Sequence, residues 1–293
     1  VMKKLVISKK KEYVLEELKQ GADAFLFGIK DLAVHFEHTY SIQELKETIH
    51  DIKNQGKEVY LSLNRNYDHH DLKKVEACLQ EIENLSVDGV FFYDLAILQL
   101  VQEQGFSISL IWDQEHMTTN SFSARFYEKE GVKGISLSTN LTLQEIETIQ
   151  KETQLSCFVP VFGYYPMFES KRHLVQNYLE TFSLDTHHGT YRIEKEKKTY
   201  PIVDHTYGTT VYTSVPLHAI KETKQFQEMG ISYVILSEQL LDHDLFLFVL
   251  NSYTHYLITG DEKEKEKVDQ LLGGNCDLGF LYKETIYRVK KNG

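Results

Sequence analysis

The rhythm of this chain is its tightest constraint. Short apolar runs of strand length alternate with stretches of helical period as far as residue 237. The runs are "LVIS" (5–8), "AFLFG" (24–28), "VYLSLN" (59–64), "GVFFYD" (89–94), "SLIWD" (109–113), "GISLS" (134–138), "CFVPVFG" (157–163) and "YVILS" (233–237). Several are apolar at consecutive positions, as parallel strands covered on both faces should be. Amphipathic stretches lie between them at 12–20, 41–55, 70–85, 95–104, 121–130 and 142–153. Two open with a capping box, Ser41 with Glu44 and Thr142 with Glu145. The phrases "KQGADAFLF", "NQGKEVYLS", "EQGFSISL", "KEGVKGISL" and "EMGISYVIL" put a glycine between helix and next strand. Glycine there supplies the left-handed position that ends a helix. Alternating β and α elements imply a parallel sheet with right-handed crossovers. Eight units in about 260 residues predict an α/β fold, a closed (β/α)8 barrel of the TIM type. The alternative is an open doubly wound sheet, but no dinucleotide glycine fingerprint follows the first run.

The rhythm breaks once. About seventy residues separate the seventh run from the eighth, far more than a usual βα connection. All four prolines, Pro160, Pro166, Pro201 and Pro216, fall in or beside this stretch. "GTYRIEKEKKTYPIVD" reads as a hairpin with a charged tip and "TTVYTS" as a further strand. A β-rich insertion at about 165–216 is therefore expected on the face where barrel enzymes keep their sites. Helical period is expected again at 217–229, and a long apolar helix at 244–257. The barrel with its insertion is assigned to 1–260. The remainder, 261–293, is read as a charged, solvated helical face followed by a hairpin in "LGFLYKETIYRV".

Composition excludes several classes. No apolar run is long enough to span a bilayer, and "VMKKLVISKKK" has no apolar signal core. Cys78, Cys157 and Cys276 lie far apart, which argues against a disulfide framework and against a thiolate-rich metal site. The expected compartment is the reducing cytoplasm. A net charge of −11 counts against general nucleic-acid binding.

Polar residues at strand ends are the candidates for function. The spacing supplies Asn64, Asp94, Asp113, Gln114, Tyr164 and Ser237, each of which also suits a turn or a helix cap. "WDQEHMTTN" (112–120) follows the fifth run, with Glu115 and His116 as an acid–base or metal-ligating pair and Asn120 as a ligand-orienting residue or a cap. His187 and His188, with His173 and His205, lack any regular metal spacing and read as loop histidines. No HExxH, GxSxG, cysteine–histidine or Walker pattern is present. The pocket is expected between 112–120 and 164–174, under the insertion. Arg172 is the expected anchor, since its planar fork suits a carboxylate or phosphate. Gln114, Asn120 and Tyr164 would complete the site, and Asp204 would hold Arg172 or His173. The alternative for Arg172 is a structural ion pair with Glu169 or Asp204.

The phrases "GADAFLFGIKDLAVHF", "GKEVYLSLN", "VDGVFFYD", "SARFYEKEGVKGISLSTNLTLQEI", "VFGYYPMFESKRHL" and "YPIVDHTYGTTVYTSVPLHAIKETKQFQEMGISYVIL" follow one another in an order that resembles the collagenase-like peptidase family U32. The resemblance extends to about Glu238. It implies the peptidase label, without a known mechanism. It equally implies kinship with prephenate-dependent tRNA wobble-uridine hydroxylation proteins and related RNA and quinone hydroxylation factors. Many of those hold an iron–sulfur cluster on four cysteines, two of them in a phrase like "GxMCxSxSGRC". Aligned on Ser170 and Arg172, this chain has Pro166 and His173 at those two positions, and "DTHHGTYR" further on also lacks cysteine. The resemblance thus implies a cluster-free branch, with no cofactor expected. A prephenate-like carboxylate is the implied ligand, a cluster-bearing paralogue the implied partner, and tRNA would be reached through that partner. A peptidase and a non-catalytic ligand-binding barrel are the alternatives, and the sequence does not decide whether the chain is an enzyme.

Overall fold

The computed structural model of the chain describes residues 2–113, 119–185 and 190–283. The first half alternates strictly: β1 (Lys3–Ile7), α1 (Val14–Lys19), β2 (Ala24–Ile29), a two-residue β3 (Thr39–Tyr40) beside the end of β2, α2 (Ile42–Asn54), β4 (Glu58–Leu63), α3 (Leu72–Glu83), β5 (Gly89–Phe92), α4 (Leu95–Gln104) and β6 (Leu110–Asp113). The second half continues with α5 (Ser121–Lys129), β7 (Gly134–Ser136), α6 (Leu143–Glu152) and β8 (Ser156–Gly163). An insertion follows: β9 (Pro166–Ser170), α7 (Leu174–Thr181), β10 (Tyr191–Lys195), β11 (Lys198–His205) and β12 (Gly208–Tyr212). The chain ends through β13 (Leu217–His218), α8 (Glu222–Glu228), β14 (Tyr233–Ser237), α9 (His243–Thr259) and α10 (Lys263–Leu271).

The strand order β1-β14-β8-β7-β6-β5-β4-β2 returns to β1 through Leu5 opposite Ala24, and every pairing in that ring is parallel. This is a closed eight-stranded TIM barrel, and all eight runs read from the sequence are in its wall. The helices form because their caps and apolar spacing agree. In α2, both bonds of the Ser41–Glu44 capping box are made, and Ile42, Leu45, Ile49 and Ile52 face the sheet. The same capping box opens α6 at Thr142 and Glu145. The helix-ending glycines Gly21, Gly56, Gly105, Gly131 and Gly230 all have positive φ.

The barrel interior is plugged by aromatics. Tyr60, Phe91, Phe158 and Tyr233 pack with ring centroids 4.1–5.9 Å apart. Each fully buried ring contributes about 1.5–3 kcal/mol. Tyr60 donates to Tyr233 Oη at 2.9 Å, and Tyr233 donates to Glu58 at 2.9 Å. Lys3 pairs with Glu58 at the strand N-termini. A ligand can therefore reach the barrel axis only from the C-terminal mouth.

The insertion is a four-stranded antiparallel sheet of order β10-β11-β12-β9, with α7 packed on it. The expected hairpin is β10–β11, and it turns at Glu196 and Lys197, both with positive φ. The expected further strand is β12. One expectation needs correcting. The stretch 217–229 starts as β13, antiparallel to the end of β8, and becomes helical only at Glu222. The polar bonding partners of β8's end outrank the local period there. The expected C-terminal hairpin at 278–289 extends outside the described residues, which end at 283. The charged stretch forms α10, whose Val268 joins the barrel's outer core. No described helix is long and apolar enough to cross a membrane.

One buried pair of carboxyl groups lies outside the barrel axis. Glu17 on α1 is fully buried near Glu238, which follows β14. Glu238 accepts bonds from Lys9 N–H and His243 Nδ1, both at 2.6 Å. Burial, and then the charge of Glu238, push the Glu17 carboxyl well above the ordinary value of 4.5. A carboxyl raised on folding stabilises the native state below its unfolded value, and that stability is lost as pH rises through the folded value. Glu17→Gln should therefore be more stable than the parent at pH 8, by about 1–3 kcal/mol, with the difference shrinking towards pH 5. Urea unfolding at the two pH values checks this, and an equal effect at both would reject it.

Candidate functional site

Among the described residues, two spaces with shared lining residues lie at the mouth. The inner one, about 60 Å³, sits on the aromatic plug among Leu26, Phe91 and Ile235. The outer one is a cleft of about 620 Å³ under the insertion. His35, Asn64, Asp113 and Pro166 border both, so the cleft narrows past them towards the barrel axis.

The strand ends position the polar groups. Asn64 follows β4 and accepts Val34 N–H at 2.9 Å through its Oδ1, which leaves its amide NH2 as a donor. Asp113 ends β6, Tyr164 follows β8 and Ser237 ends β14, and all three border the inner space. Burial raises the Tyr164 hydroxyl above its ordinary value. Gln239 is a brace: it accepts Glu37 N–H at 2.6 Å and donates to Ser8 O at 3.1 Å.

Arg65 is the cation the sequence reading missed. Its side chain is only 11% exposed. Nη2 donates to Asp71 Oδ2 at 2.9 Å, and the guanidinium lies 3.9 Å from the Tyr207 ring centroid and 5.1 Å from that of Tyr67. Its Nε is buried without a hydrogen-bond partner among the described residues. Asp71 is held below the ordinary carboxylate value of 3.8, against its own desolvation, by the Asp68 backbone and Arg65. This arrangement fixes one edge of a guanidinium fork and leaves the rest beside the cleft.

Among the described residues, three histidines lie in or near the cleft wall. His35, in the left-handed region at φ 70°, and His173 border it directly. His205 lies behind them on β11. Burial, then His35, push His205 down to about 4. Its Nδ1 accepts Tyr207 N–H at 3.3 Å, so the neutral ring carries its proton on Nε2, towards Thr210 Oγ1 at 3.1 Å. The insertion approaches the mouth at Lys171 Nζ, 3.6 Å from Asp68, and at Glu169, 3.7 Å from His35 Nε2.

The expected site residues divide. Tyr164 and His173 line the two spaces. Gln114, Glu115 and His116 lie outside the described residues, as do His187 and His188. Asn120 is the exposed N-cap of α5 and accepts Ser123 N–H at 2.9 Å. Asp94 likewise caps α4 and accepts Tyr67 N–H at 2.9 Å. Arg172 is exposed and borders neither space. It makes no ion pair with another described residue, so the expected structural pair with Glu169 or Asp204 is not formed. Its backbone, not its fork, is engaged: its carbonyl lies 2.7 Å from Thr209 Oγ1. Asp204 holds neither Arg172 nor His173. It caps α7 from β11, accepting Val175 N–H at 3.3 Å and Gln176 N–H at 2.9 Å. A helix N-terminus offers unpaired amides that a carboxylate satisfies better than a guanidinium already in water.

The mouth does not fit a thiolate-bound cluster. Pro166 and His173 stand in the cleft wall, and Cys157 is buried in β8 with its thiol pushed up to about 12. Cys78 is buried on α3, its thiol also at about 12, and Cys276 lies beyond α10.

The sequence pattern described as "Peptidase family U32" matches residues 9–286. The chain belongs to peptidase family U32. It is 24% identical to tRNA hydroxylation protein P2 of Bacillus subtilis (strain 168), over 94% of this chain and 95% of that one. It is 21% identical to tRNA hydroxylation protein P1 of the same organism, over 60% of this chain and 44% of that one. A Methanocaldococcus jannaschii protein described as an uncharacterized protease is 36% identical over 45% of this chain and 32% of its own. A solved U32 peptidase structure superposes with a TM-score of 0.53 at 11% identity, covering 81% of this chain and 92% of that one. That likeness concerns the fold alone.

Proposed function

We propose that this U32 chain acts in the cytoplasm in tRNA wobble-uridine hydroxylation, as a cluster-free subunit that binds a small prephenate-like carboxylate beside a cluster-bearing U32 partner. The observation that carries the ligand part is Arg65. It is a nearly buried guanidinium, braced by Asp71 and Tyr207, at the edge of a cleft large enough for a small organic acid. A carboxylate there would gain charge-assisted bonds from a fork that is already oriented. Asn64 and Tyr164 would select the polar remainder from the barrel side. The full-length similarity to a tRNA hydroxylation protein supports the pathway, and the charge of −11 suits a subunit that leaves the grip on RNA to another chain.

Three measurements test the reading. Nucleoside mass spectrometry of tRNA from a deletion strain should show loss of the hydroxylated wobble uridine, restored by the parent gene. Unchanged nucleosides would reject the pathway. Calorimetric titration with prephenate should show binding, weakened about 10–100-fold in Arg65→Lys, because lysine keeps the charge and loses the fork. Equal binding by both proteins would remove Arg65 from the site. Release of peptides from gelatin at catalytic protein concentrations would favour the protease reading instead.

A further inference from the structure

A third space lies across β9 from the cleft beside Arg65. Its volume is about 410 Å³, and its walls are the loop after β7, the start of β11 and the turns beyond α10. Pro166 and Met167, which open β9, border both outer clefts. Thr139, Tyr165 and Pro166 border both this third cleft and the small inner space. The start of β9 therefore divides the mouth into two clefts, and each shares walls with the same inner space.

The groups in this cleft suit a flat ring that carries an anion. Tyr200 and Phe280 line it, and neither ring is fully covered. Asn140 spends its backbone N–H on Ser138 Oγ at 3.2 Å, and its side-chain amide has no partner among the described residues. A side-chain amide offers a donor beside an acceptor, which is the complement of the N–H and carbonyl on the pairing edge of uracil. Lys198 borders the cleft and makes no ion pair with another described residue, whereas Lys283 is held by Asp277 at 3.2 Å. Lys195 stands opposite Lys198 in the hairpin ladder. Rings to stack on, an edge to pair with and a free ammonium for a phosphate are the groups that single-stranded nucleotides are bound by. The volume is that of a small-ligand site. The surrounding charge permits an anion as well. Residues 165–216 hold six lysines and arginines against six aspartates and glutamates, so the net charge of −11 lies wholly outside the insertion.

We propose that this third cleft receives the unstacked wobble uridine of the tRNA, across β9 from the small acid in the Arg65 cleft. The assignment rests on the function proposed above and adds the place of the second ligand. A base swung out of the anticodon loop stacks on Tyr200 and Phe280, pairs its edge with Asn140 and brings its phosphate to Lys198. One base and one phosphate supply only a small part of an RNA's affinity. An acidic chain can therefore hold them while its partner grips the rest. Pro166 borders all three spaces, so the two ligands come together at the inner one.

The test is photocrosslinking of the full-length chain, alone and with the same host's homologue of tRNA hydroxylation protein P1. The probe is an anticodon stem-loop RNA with bromouridine at the wobble position, and mass spectrometry maps the attachment. The expected result is attachment at Tyr200, Phe280 or their immediate neighbours. Tyr200→Ala and Lys198→Glu should each lower the yield by about 10-fold. Lys198 is exposed, so the Lys198→Glu protein should keep the parent's melting temperature and serve where Tyr200→Ala does not fold. Attachment at Tyr93 or Tyr207 in the Arg65 cleft, attachment to the partner chain alone, or no attachment overturns the proposal. An unchanged yield in a folded Lys198→Glu protein overturns it too. If the deletion strain loses the hydroxylated uridine while the crosslink maps elsewhere, this cleft falls and the pathway stands. If the nucleosides are unchanged, both fall.

Discussion

Gly163→Val is expected to cost about 4 kcal/mol or more and to lower the melting temperature by about 10 °C. Gly163 ends β8 at the rim of the mouth, with φ at 117°, where a residue with a side chain is strained. Space is missing as well. A Cβ at this position would lie 2.6 Å from the Ser237 carbonyl oxygen and 2.8 Å from the Ser237 Cβ. The first of these atoms is backbone of the neighbouring β14, so it cannot swing aside. Relief would require parting β8 from β14 just where Ser237, Tyr164 and Tyr165 border the inner space. Net stabilities of about 5–15 kcal/mol leave little margin for such a loss. Gly56→Ala is the control. It also has positive φ, but nothing lies within 4 Å of its Cβ, so it should cost only about 1 kcal/mol. Thermal unfolding of both variants checks the contrast. A Gly163→Val protein that melts within about 2 °C of the parent would mean that the rim can open at low cost.

The difference between what could and could not be read from the sequence follows the range of the forces involved. The eight wall strands were legible because burial on both faces writes itself locally, as runs such as "AFLFG" and "CFVPVFG". The helix boundaries were legible because caps and stop glycines act within one turn, as Ser41 and Gly105 do. Helix α7 was not legible. It is only about two turns long within a β-rich insertion, and its N-terminal amides are capped by Asp204 from a strand almost thirty residues away. The same range separates Arg65 from Arg172. Arg172 stands in a family phrase, yet its side chain is exposed. Arg65 sits in "NRNYD", which reads as a turn. What makes it unusual is Tyr207 from the insertion above it, a contact across more than a hundred residues. Asn120 and Asp94 turned out to be caps because a short acceptor before a helix is satisfied by its own chain first.

Acid should destabilise the protein before its carboxylates titrate. His218 is buried on β13, and Tyr253 fixes its tautomer. The Tyr253 hydroxyl donates to Val161 O at 2.9 Å, so it accepts from His218 Nδ1 at 3.1 Å. Nε2 is left as the unprotonated nitrogen, 3.7 Å from Asp269. Asp269 favours a proton there, but burial outweighs it and pushes the ring down to about 4, from an ordinary 6.5. His205 is pushed to a similar value by burial and by His35, and its Nδ1 is occupied by Tyr207 N–H. In the unfolded chain both rings take up a proton near pH 6.5, and in the folded protein they do so only near 4. The stability that depends on the neutral rings is thus complete above pH 6.5 and is lost as pH falls towards 4. Two protons give a slope of at most about 2.7 kcal/mol per pH unit, and the partial exposure of His205 lowers this towards about 1.4. The depressed carboxyls of Asp23, Asp31, Asp71 and Asp269 act below their ordinary 3.8 and do not contribute in this window. Glu17 acts in the opposite sense and flattens the slope, so the measurement is best made on Glu17→Gln. Urea unfolding of that protein between pH 7.5 and pH 5 should show stability falling with acid. Adding His218→Gln should remove about one proton from the slope. An unchanged slope would mean that His218 is already charged in the folded state and that Asp269, not burial, governs it.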